Sequence, residues 1–146
     1  MTKIERMARD FRDSVENRFE FLVLEYMYSG PFGEETEVYF VNRESLTRIN
    51  ILYMLSEGYI AIKLHRFVEG SDYRIDLRKS YVLTGLGPIQ HVRDRTTTPA
   101  GIDAAVESMA VATRKIMPLV EGPDGDQIFL GVYKPPRKGG HRAGKK

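Results

Sequence analysis

The chain has 146 residues, of which 42% are hydrophobic and 10% aromatic, enough to build the core of one domain. It contains no cysteine, so disulfides, thiolate metal sites and cysteine nucleophiles are excluded. Its longest apolar runs, 21–24 and 51–55, are far shorter than the roughly 20 residues that cross a bilayer, and its charged N-terminal segment lacks the apolar stretch of a signal peptide. We therefore expect a soluble, cytoplasmic protein.

The net charge of +2 conceals two parts of opposite sign. Residues 1–133 hold 16 basic and 20 acidic residues, a net charge of −4, whereas residues 134–146 hold six basic residues and no acidic one. We predict a single α+β domain over residues 1–133, followed by a flexible basic tail rich in proline and glycine. The tail charges that could attract phosphate groups are Lys134, Arg137, Lys138, Arg142, Lys145 and Lys146.

The first element is predicted to be a helix from Lys3 to Leu22. Thr2 and Glu5 have the spacing of a capping box, which satisfies free backbone donors at a helix start. Apolar residues then recur every three or four positions, as on one side of a helix. The glycine- and proline-containing segment 29–33 is predicted to break any regular structure.

Three alternating runs follow, starting at Thr36, Thr47 and Gly58, and the short links between them favour antiparallel hairpins. Alternation places apolar residues of the third run on one face, interrupted by Arg66, and a mixed set on the other. A fourth strand is predicted over residues 72–83, and the segment from Gly85 is interpreted as the loop that follows it. The sequence thus predicts an antiparallel meander of three to five strands packed against an N-terminal and a C-terminal helix.

The stretch 84–97 is predicted to be a long loop. Thr98 and Pro99 have the order of an N-cap followed by proline at the first helical position, so a second helix is predicted from Pro99 to about Leu119. The segment 124–126 is interpreted as a turn rather than a calcium loop. The last apolar segment, 128–133, could close the sheet or pack as a coil.

No catalytic or metal-binding motif is present. The three histidines have no ligand spacing, the serines lack a nucleophile elbow, and no carboxylate pair stands out, so we assign no catalytic residue, no metal and no cofactor. The candidate binding residues lie on the mixed face of the third run, where we expect contacts with an unidentified protein partner. They are Tyr59, Lys63, His65 and Phe67.

Nucleic-acid binding is the main alternative, because basic and aromatic side chains alternate over this region and the basic tail could add phosphate contacts. Acidic residues such as Glu69 and Asp76 interrupt the patch, which weakens that interpretation. An enzyme without a recognisable motif is the third hypothesis. The interleaved side chains are Tyr59, Lys63, His65, Phe67, Tyr73, Arg74, Arg78, Lys79 and Tyr81.

The order of segments resembles that of small bacterial α+β proteins of unknown function, some of which are similar to immunity proteins of toxin systems. The resemblance is carried by FEFL at Phe19, YFVN at Tyr39, INILYML at Ile49, GYIAIKL at Gly58 and IMPLVEGPDGD at Ile116. It implies an N-terminal helix, a curved antiparallel sheet and a C-terminal helix ending in an acidic turn. The basic tail and Pro118 depart from that pattern, and no functional residues follow from it. The leading hypothesis is therefore a noncatalytic, immunity-like binding protein that uses either the sheet face around the candidate binding residues or the acidic surface of residues 1–133.

Overall fold

The computed structural model describes residues 2–92, 94–95 and 98–136. Its five-stranded sheet is an antiparallel meander in chain order, which confirms the predicted fold class. The elements are α1 (Lys3–Arg18), α2 (Glu20–Tyr26), β1 (Ser29–Phe32), β2 (Glu37–Asn42), β3 (Thr47–Met54), β4 (Tyr59–Val68), β5 (Ser71–Asp76), α3 (Leu77–Leu83), α4 (Pro99–Val120) and α5 (Gly125–Leu130).

The N-terminal helix starts as predicted but ends earlier. The Thr2 hydroxyl accepts a hydrogen bond from the Glu5 amide at 3.0 Å, and the Glu5 carboxylate accepts one from the Thr2 amide at 2.8 Å. The predicted end at Leu22 is wrong, because α1 stops at Arg18 and α2 begins at Glu20. The break lies at Phe19, and it lets Phe19 and Leu22 both be fully buried.

The predicted break at residues 29–33 is also wrong in part, because Ser29–Phe32 forms the edge strand β1. Pro31 has no amide proton to donate, and an edge strand tolerates this because one of its sides needs no ladder hydrogen bonds. Gly30 has φ of +136°, a conformation that side-chain-bearing residues rarely adopt. The glycine and the proline of this segment are therefore compatible with an edge strand, although they were expected to prevent one.

The fourth predicted strand is confirmed only in its first half. β5 ends at Asp76, and the chain continues as α3, where Leu77, Ser80 and Tyr81 are buried at helical spacing. Gly85 accordingly follows a helix and not the strand that we expected. In the predicted long loop, Ile89–His91 forms a short 3-10 turn.

The second long helix is confirmed. The last apolar segment, 128–133, was expected to be a strand or a coil, and its residues 128–130 differ from both. Thr98 accepts a hydrogen bond from the Gly101 amide at 3.2 Å, and α4 continues to Val120. Residues 128–130, expected in the sheet or in a coil, instead complete the helix α5. Gly125 begins α5 where a Cβ atom would lie 1.9 Å from the Val120 carbonyl oxygen, so only glycine fits this close approach.

One face of the sheet carries the core. Along β2, β3 and β4 every second residue is buried, including Ile49, Ile51, Ile62 and Leu64, and these side chains pack with α1 and α4. The two helices are joined by Asp103, which accepts hydrogen bonds from Ser14 at 2.5 Å and from Arg18 at 2.6 Å. These bonds hold the pKa of the Asp103 carboxyl below its usual range.

Arg66, which interrupts the apolar face of β4, is only 5% exposed. Its Nε donates to the Thr47 hydroxyl at 2.7 Å, and its terminal nitrogens contact Asp126 at 3.2 Å and Glu121 at 3.5 Å. The guanidinium carbon lies 4.9 Å from the centre of the Phe129 ring. Arg66 thus joins β3, the end of α4 and α5 through one buried cation.

Glu121 is the hub of the same cluster. Its Oε2 accepts from the Tyr28 hydroxyl at 2.5 Å and from the Ser45 hydroxyl at 3.1 Å, in addition to its contact with Arg66. Burial and the Glu121 carboxylate raise the pKa of Tyr28 far above its usual range, so the phenol keeps its proton and donates it. We call Tyr28, Ser45, Thr47, Arg66, Glu121 and Asp126 the Arg66 cluster.

The C-terminal region is described only as far as residue 136. Tyr133 is the last buried residue, and Lys134, Pro135 and Pro136 are exposed. The tail residues Arg137, Lys138, Arg142, Lys145 and Lys146 lie outside the described residues, so the predicted division at residue 134 stays a prediction. None of the helices in the described part combines the length and apolarity needed to cross a membrane.

We expect Arg66→Ala to lower the free energy of unfolding by about 3 kcal/mol, because it leaves the carboxylate of Glu121 without its cation inside the fold. Urea unfolding followed by circular dichroism measures this change. Arg114→Ala is the matched control: Arg114 also pairs with a glutamate, Glu25, at 3.0 Å, but both side chains are about half exposed. It should cost less than about 1 kcal/mol. Equal losses in the two variants would contradict a structural role for the Arg66 cluster.

Candidate ligand-binding face of the sheet

The face of the sheet opposite the core helices presents the alternate side chains of β2 to β5. In this region the alternation places these residues away from the core, and their exposure ranges from half-buried to fully exposed. We call this surface the open face. Its members are Glu37, Tyr39, Val41, Arg48, Asn50, Leu52, Met54, Tyr59, Ala61, Lys63, His65, Phe67, Asp72, Arg74 and Asp76.

The strand register brings three basic side chains into one row. Arg48 on β3 lies opposite His65 on β4, and His65 lies opposite Arg74 on β5. Residues paired in this way have Cβ atoms only about 5 Å apart, so the His65 imidazole lies beside both arginine side chains. We call Arg48, His65 and Arg74 the basic row. It is a concentration of positive potential in a body whose net charge is negative.

A concavity of about 720 Å³ lies over two members of the basic row, His65 and Arg74. Lys63 and Lys79 add two further positive charges to its wall, and Asp76 is its acidic residue; Asn50 and Ile75 complete the lining. Lys79 comes from α3, which follows β5 directly and so forms a raised border beside the sheet. Among the described residues neither Lys63 nor Lys79 makes a hydrogen bond or an ion pair.

A second concavity, of about 440 Å³, adjoins the first and shares Lys63 and Asp76 with it. Its floor is more apolar, with Leu52, Met54 and Tyr59, and its far wall holds Asp94. Asp94 is fixed there by an ion pair with Arg78 at 3.2 Å and by a hydrogen bond from the Ile60 amide to its carbonyl oxygen at 2.9 Å. Because they share Lys63 and Asp76, the two concavities lie next to each other over β4 and the end of β5.

Some of the charged side chains on the open face already have partners within that face. The Arg48 guanidinium lies 3.8 Å from the centre of the Tyr39 ring and 3.9 Å from the Glu37 carboxylate. Arg74 is 4.0 Å from Asp72 on the same strand. The Arg48 and Glu37 side chains are slightly less than half exposed and those of Arg74 and Asp72 are more exposed, so both ion pairs are weak and can be exchanged for contacts with a ligand.

His65 is the titratable group at the centre of the basic row. Its pKa is lowered below the ordinary 6.5, first by partial burial and then by the positive charges of Arg74, Arg48 and Lys63, while Asp72 opposes the shift. At neutral pH the imidazole is therefore uncharged. It gains its positive charge only in more acidic solution, or when an anion binds beside it.

The structure brings together only some of the residues predicted from sequence. Lys63 and His65 share the larger concavity, and Tyr59 lies in the adjoining one. Phe67 lies at the other end of β4, about 26 Å from Tyr59 along the strand, and its side chain is 52% exposed. Phe67 instead borders a depression beside Arg66 and Glu121.

Several aromatic residues of the nucleic-acid alternative do not reach the open face. Tyr81 is buried in the core, and Tyr73 belongs to the core side of β5. Arg48 and Asn50 were not predicted as site residues, because the predicted pairing of the second and third runs did not specify which residues lie opposite each other. The signal that could have found Arg74 as the neighbour of His65 is the two-residue turn at Glu69 and Gly70, both with positive φ, which fixes the register of that hairpin.

The arrangement offers no metal centre within the described residues, where no group of three or more metal-ligating side chains converges. It also offers no coupled acid–base pair at the concavity, since no hydrogen bond joins His65 to Asp76 or Lys63 there. The basic side chains that line the concavity are groups that can bind negative charge.

The opposing effects on His65 give a direct test of this electrostatic description. We expect its pKa to lie below 6.5, to fall further in Asp72→Asn and to rise in Arg74→Gln. A proton NMR titration measures it, with the signal assigned from its loss in His65→Gln. A wild-type value above 6.5, or an upward shift in Asp72→Asn, would contradict the description.

Comparison of the chain with family models, with curated protein sequences and with solved structures finds no match. The resemblance to small bacterial immunity-like proteins therefore stays a prediction.

Proposed function

We propose that this protein is a noncatalytic binding protein whose open face binds an acidic segment of a partner protein. The observation that carries the proposal is the basic row, in which Arg48, His65 and Arg74 occupy paired positions on three adjacent strands. At neutral pH the uncharged imidazole of His65 lies between the two guanidinium groups, and Lys63 and Lys79 add two positive charges at the same concavity. An anionic group bound there is attracted by these charges and favours protonation of His65.

The size and composition of the two concavities support a peptide as the ligand. The larger concavity is open and shallow, with polar side chains on its walls, and it adjoins the one whose apolar floor is formed by Leu52 and Met54. A peptide that presents carboxylates to Lys63 and Lys79 and an apolar side chain to that floor matches both parts. Asp76, between the two parts, is a site for a single basic or amide group of the same segment.

Single-stranded nucleic acid is the second candidate, favoured by the exposed ring of Phe67 near the basic row and by the basic tail. It is the weaker candidate, because arginine side chains already lie over the Tyr39 and Tyr59 rings, at 3.8 and 5.6 Å, and occupy the surfaces on which bases would stack.

The enzyme hypothesis requires convergent titratable groups in a concave site, and Lys63, His65 and Asp76 do share one. Proton transfer needs a hydrogen-bonded pair or a group held against a substrate atom. Among the described residues, Lys63 makes no hydrogen bond or ion pair, and no hydrogen bond joins His65 to Asp76. Both observations favour binding over catalysis as the role of these side chains.

The proposal predicts that the protein binds fluorescein-labelled poly-L-aspartate, measured by fluorescence anisotropy. Lys63→Gln combined with Lys79→Gln should weaken binding about five-fold, because two exposed ion pairs are lost. Affinity should rise as the pH falls from about 7.5 to about 5.5, because His65 gains charge below its lowered pKa, and this rise should disappear in His65→Gln.

Lys115→Gln, which removes one positive charge from the exposed side of α4, is the control for each of the single variants Lys63→Gln and Lys79→Gln, and it should leave affinity unchanged. Equal binding by wild type and the double variant would overturn the proposal and would locate the interaction in the tail. For nucleic acid, salt-sensitive retention of oligothymidine that weakens on deletion of residues 135–146 would favour the second candidate. No retention at low salt would exclude it.

A further inference from the structure

The outer edge of β5 carries backbone groups that no other strand pairs in the described part of the chain. The Phe67 amide donates to the Leu46 carbonyl on the β3 side, and the Ile60 amide donates to the Asp94 carbonyl on the opposite side. Backbone direction alternates along a strand, so the even-numbered residues of β4 bond to β5. Their partners in the register are Ser71, Tyr73 and Ile75.

The amides and carbonyls of Asp72 and Arg74 therefore point away from the sheet. No hydrogen bond to them is made by any of the residues that the structure describes, and both residues are exposed. Their side chains lie on the open face, whereas the Tyr73 side chain lies on the core side and is half-buried. Unpaired edge groups of this kind are a template for a further strand.

We propose that two copies of this chain associate through antiparallel pairing of β5 with β5, about a two-fold axis at Tyr73. In that register Asp72 of each copy lies opposite Arg74 of the other, and each of these pairs exchanges its two free backbone hydrogen bonds. Opposite charges face each other at both positions. The two Tyr73 side chains meet at the intervening position, where aromatic cross-strand pairs are stabilising.

The charge pattern selects this register over the next one. In the next register, shifted by two residues, the backbone groups that point away from the sheet can still pair. Arg74 then lies opposite Arg74 of the second copy, and Asp72 lies opposite Asp76. Each of these pairs is of like charge. Within one copy, Asp72 and Arg74 are 4.0 Å apart and largely exposed, so they are free to exchange partners. The β5 edge is thus complementary to a second copy of itself in the register that is centred on Tyr73.

Pairing joins the two sheets into one continuous sheet. Arg74 lines the larger concavity, so the concavities of the two copies lie side by side across the axis. The basic side chains of both then face a single stretch of ligand. The dimer is an inference from the β5 edge alone, and it stands whether or not the open face binds an acidic peptide.

Sedimentation velocity over a concentration series, without any ligand, tests the proposal on the full chain. We expect a reversible monomer–dimer equilibrium for the wild type. Asp72→Arg and Arg74→Asp should each be monomeric, because each places like charges opposite one another. The double variant, with both changes, should again form a dimer because its charges are exchanged but still complementary.

An equimolar mixture of the two single variants is the most discriminating sample. Both outward-facing positions are basic in the Asp72→Arg variant, and both are acidic in the Arg74→Asp variant. The mixture should therefore form a heterodimer, although neither variant associates alone. Lys115→Glu, a charge reversal on α4, should leave the wild-type equilibrium unchanged. A wild type that stays monomeric throughout, or a dimer that survives Arg74→Asp, would overturn the proposal.

Discussion

The burial of Arg66 is the constraint on which the arrangement of this protein depends. A buried guanidinium is tolerated only when its donors are matched, and here Thr47, Glu121 and Asp126 match them from three separate segments. The requirement fixes where α4 ends and where α5 begins. Because both helices are held at Arg66 on one side of the sheet, the opposite side is left without a covering layer among the described residues.

The two faces of the sheet consequently meet different requirements. On the core side, burial of apolar residues and the Arg66 cluster supply stability. On the open face, the basic row and the lysines beside it concentrate basic side chains that contribute nothing to the core, a pattern that proteins retain at binding sites. The same asymmetry makes β5 an exposed edge, since its core side is packed while its outer backbone groups have no partner strand in the part of the chain that the structure describes.

Local features of the sequence were sufficient to predict much of the fold. The cap at Thr2, the cap at Thr98 and the alternation along β2 to β4 each depend on residues within a few positions, and all are confirmed. The break at Phe19 and the helices α3 and α5 could not be predicted in this way. They are set by which side chains the assembled core can bury, which depends on contacts distant in sequence.

The candidate site shows the same limit. Alternation along one strand placed Lys63 and His65 on the exposed face, but the basic row exists only because three strands are in one register. Arg66 was recognised as an interruption of an apolar face, and its carboxylate partners lie 55 and 60 residues further along the chain. Neither feature can be derived from spacing within one segment.

The central claim is that the open face is the binding surface. NMR chemical-shift mapping during a titration of the full chain with poly-L-aspartate tests this claim most directly. The account predicts that the largest backbone amide shifts occur at Lys63, His65, Arg74 and Lys79, with little change along α1 and α4. Shifts confined to residues 134–146, or centred on the helices, would contradict it.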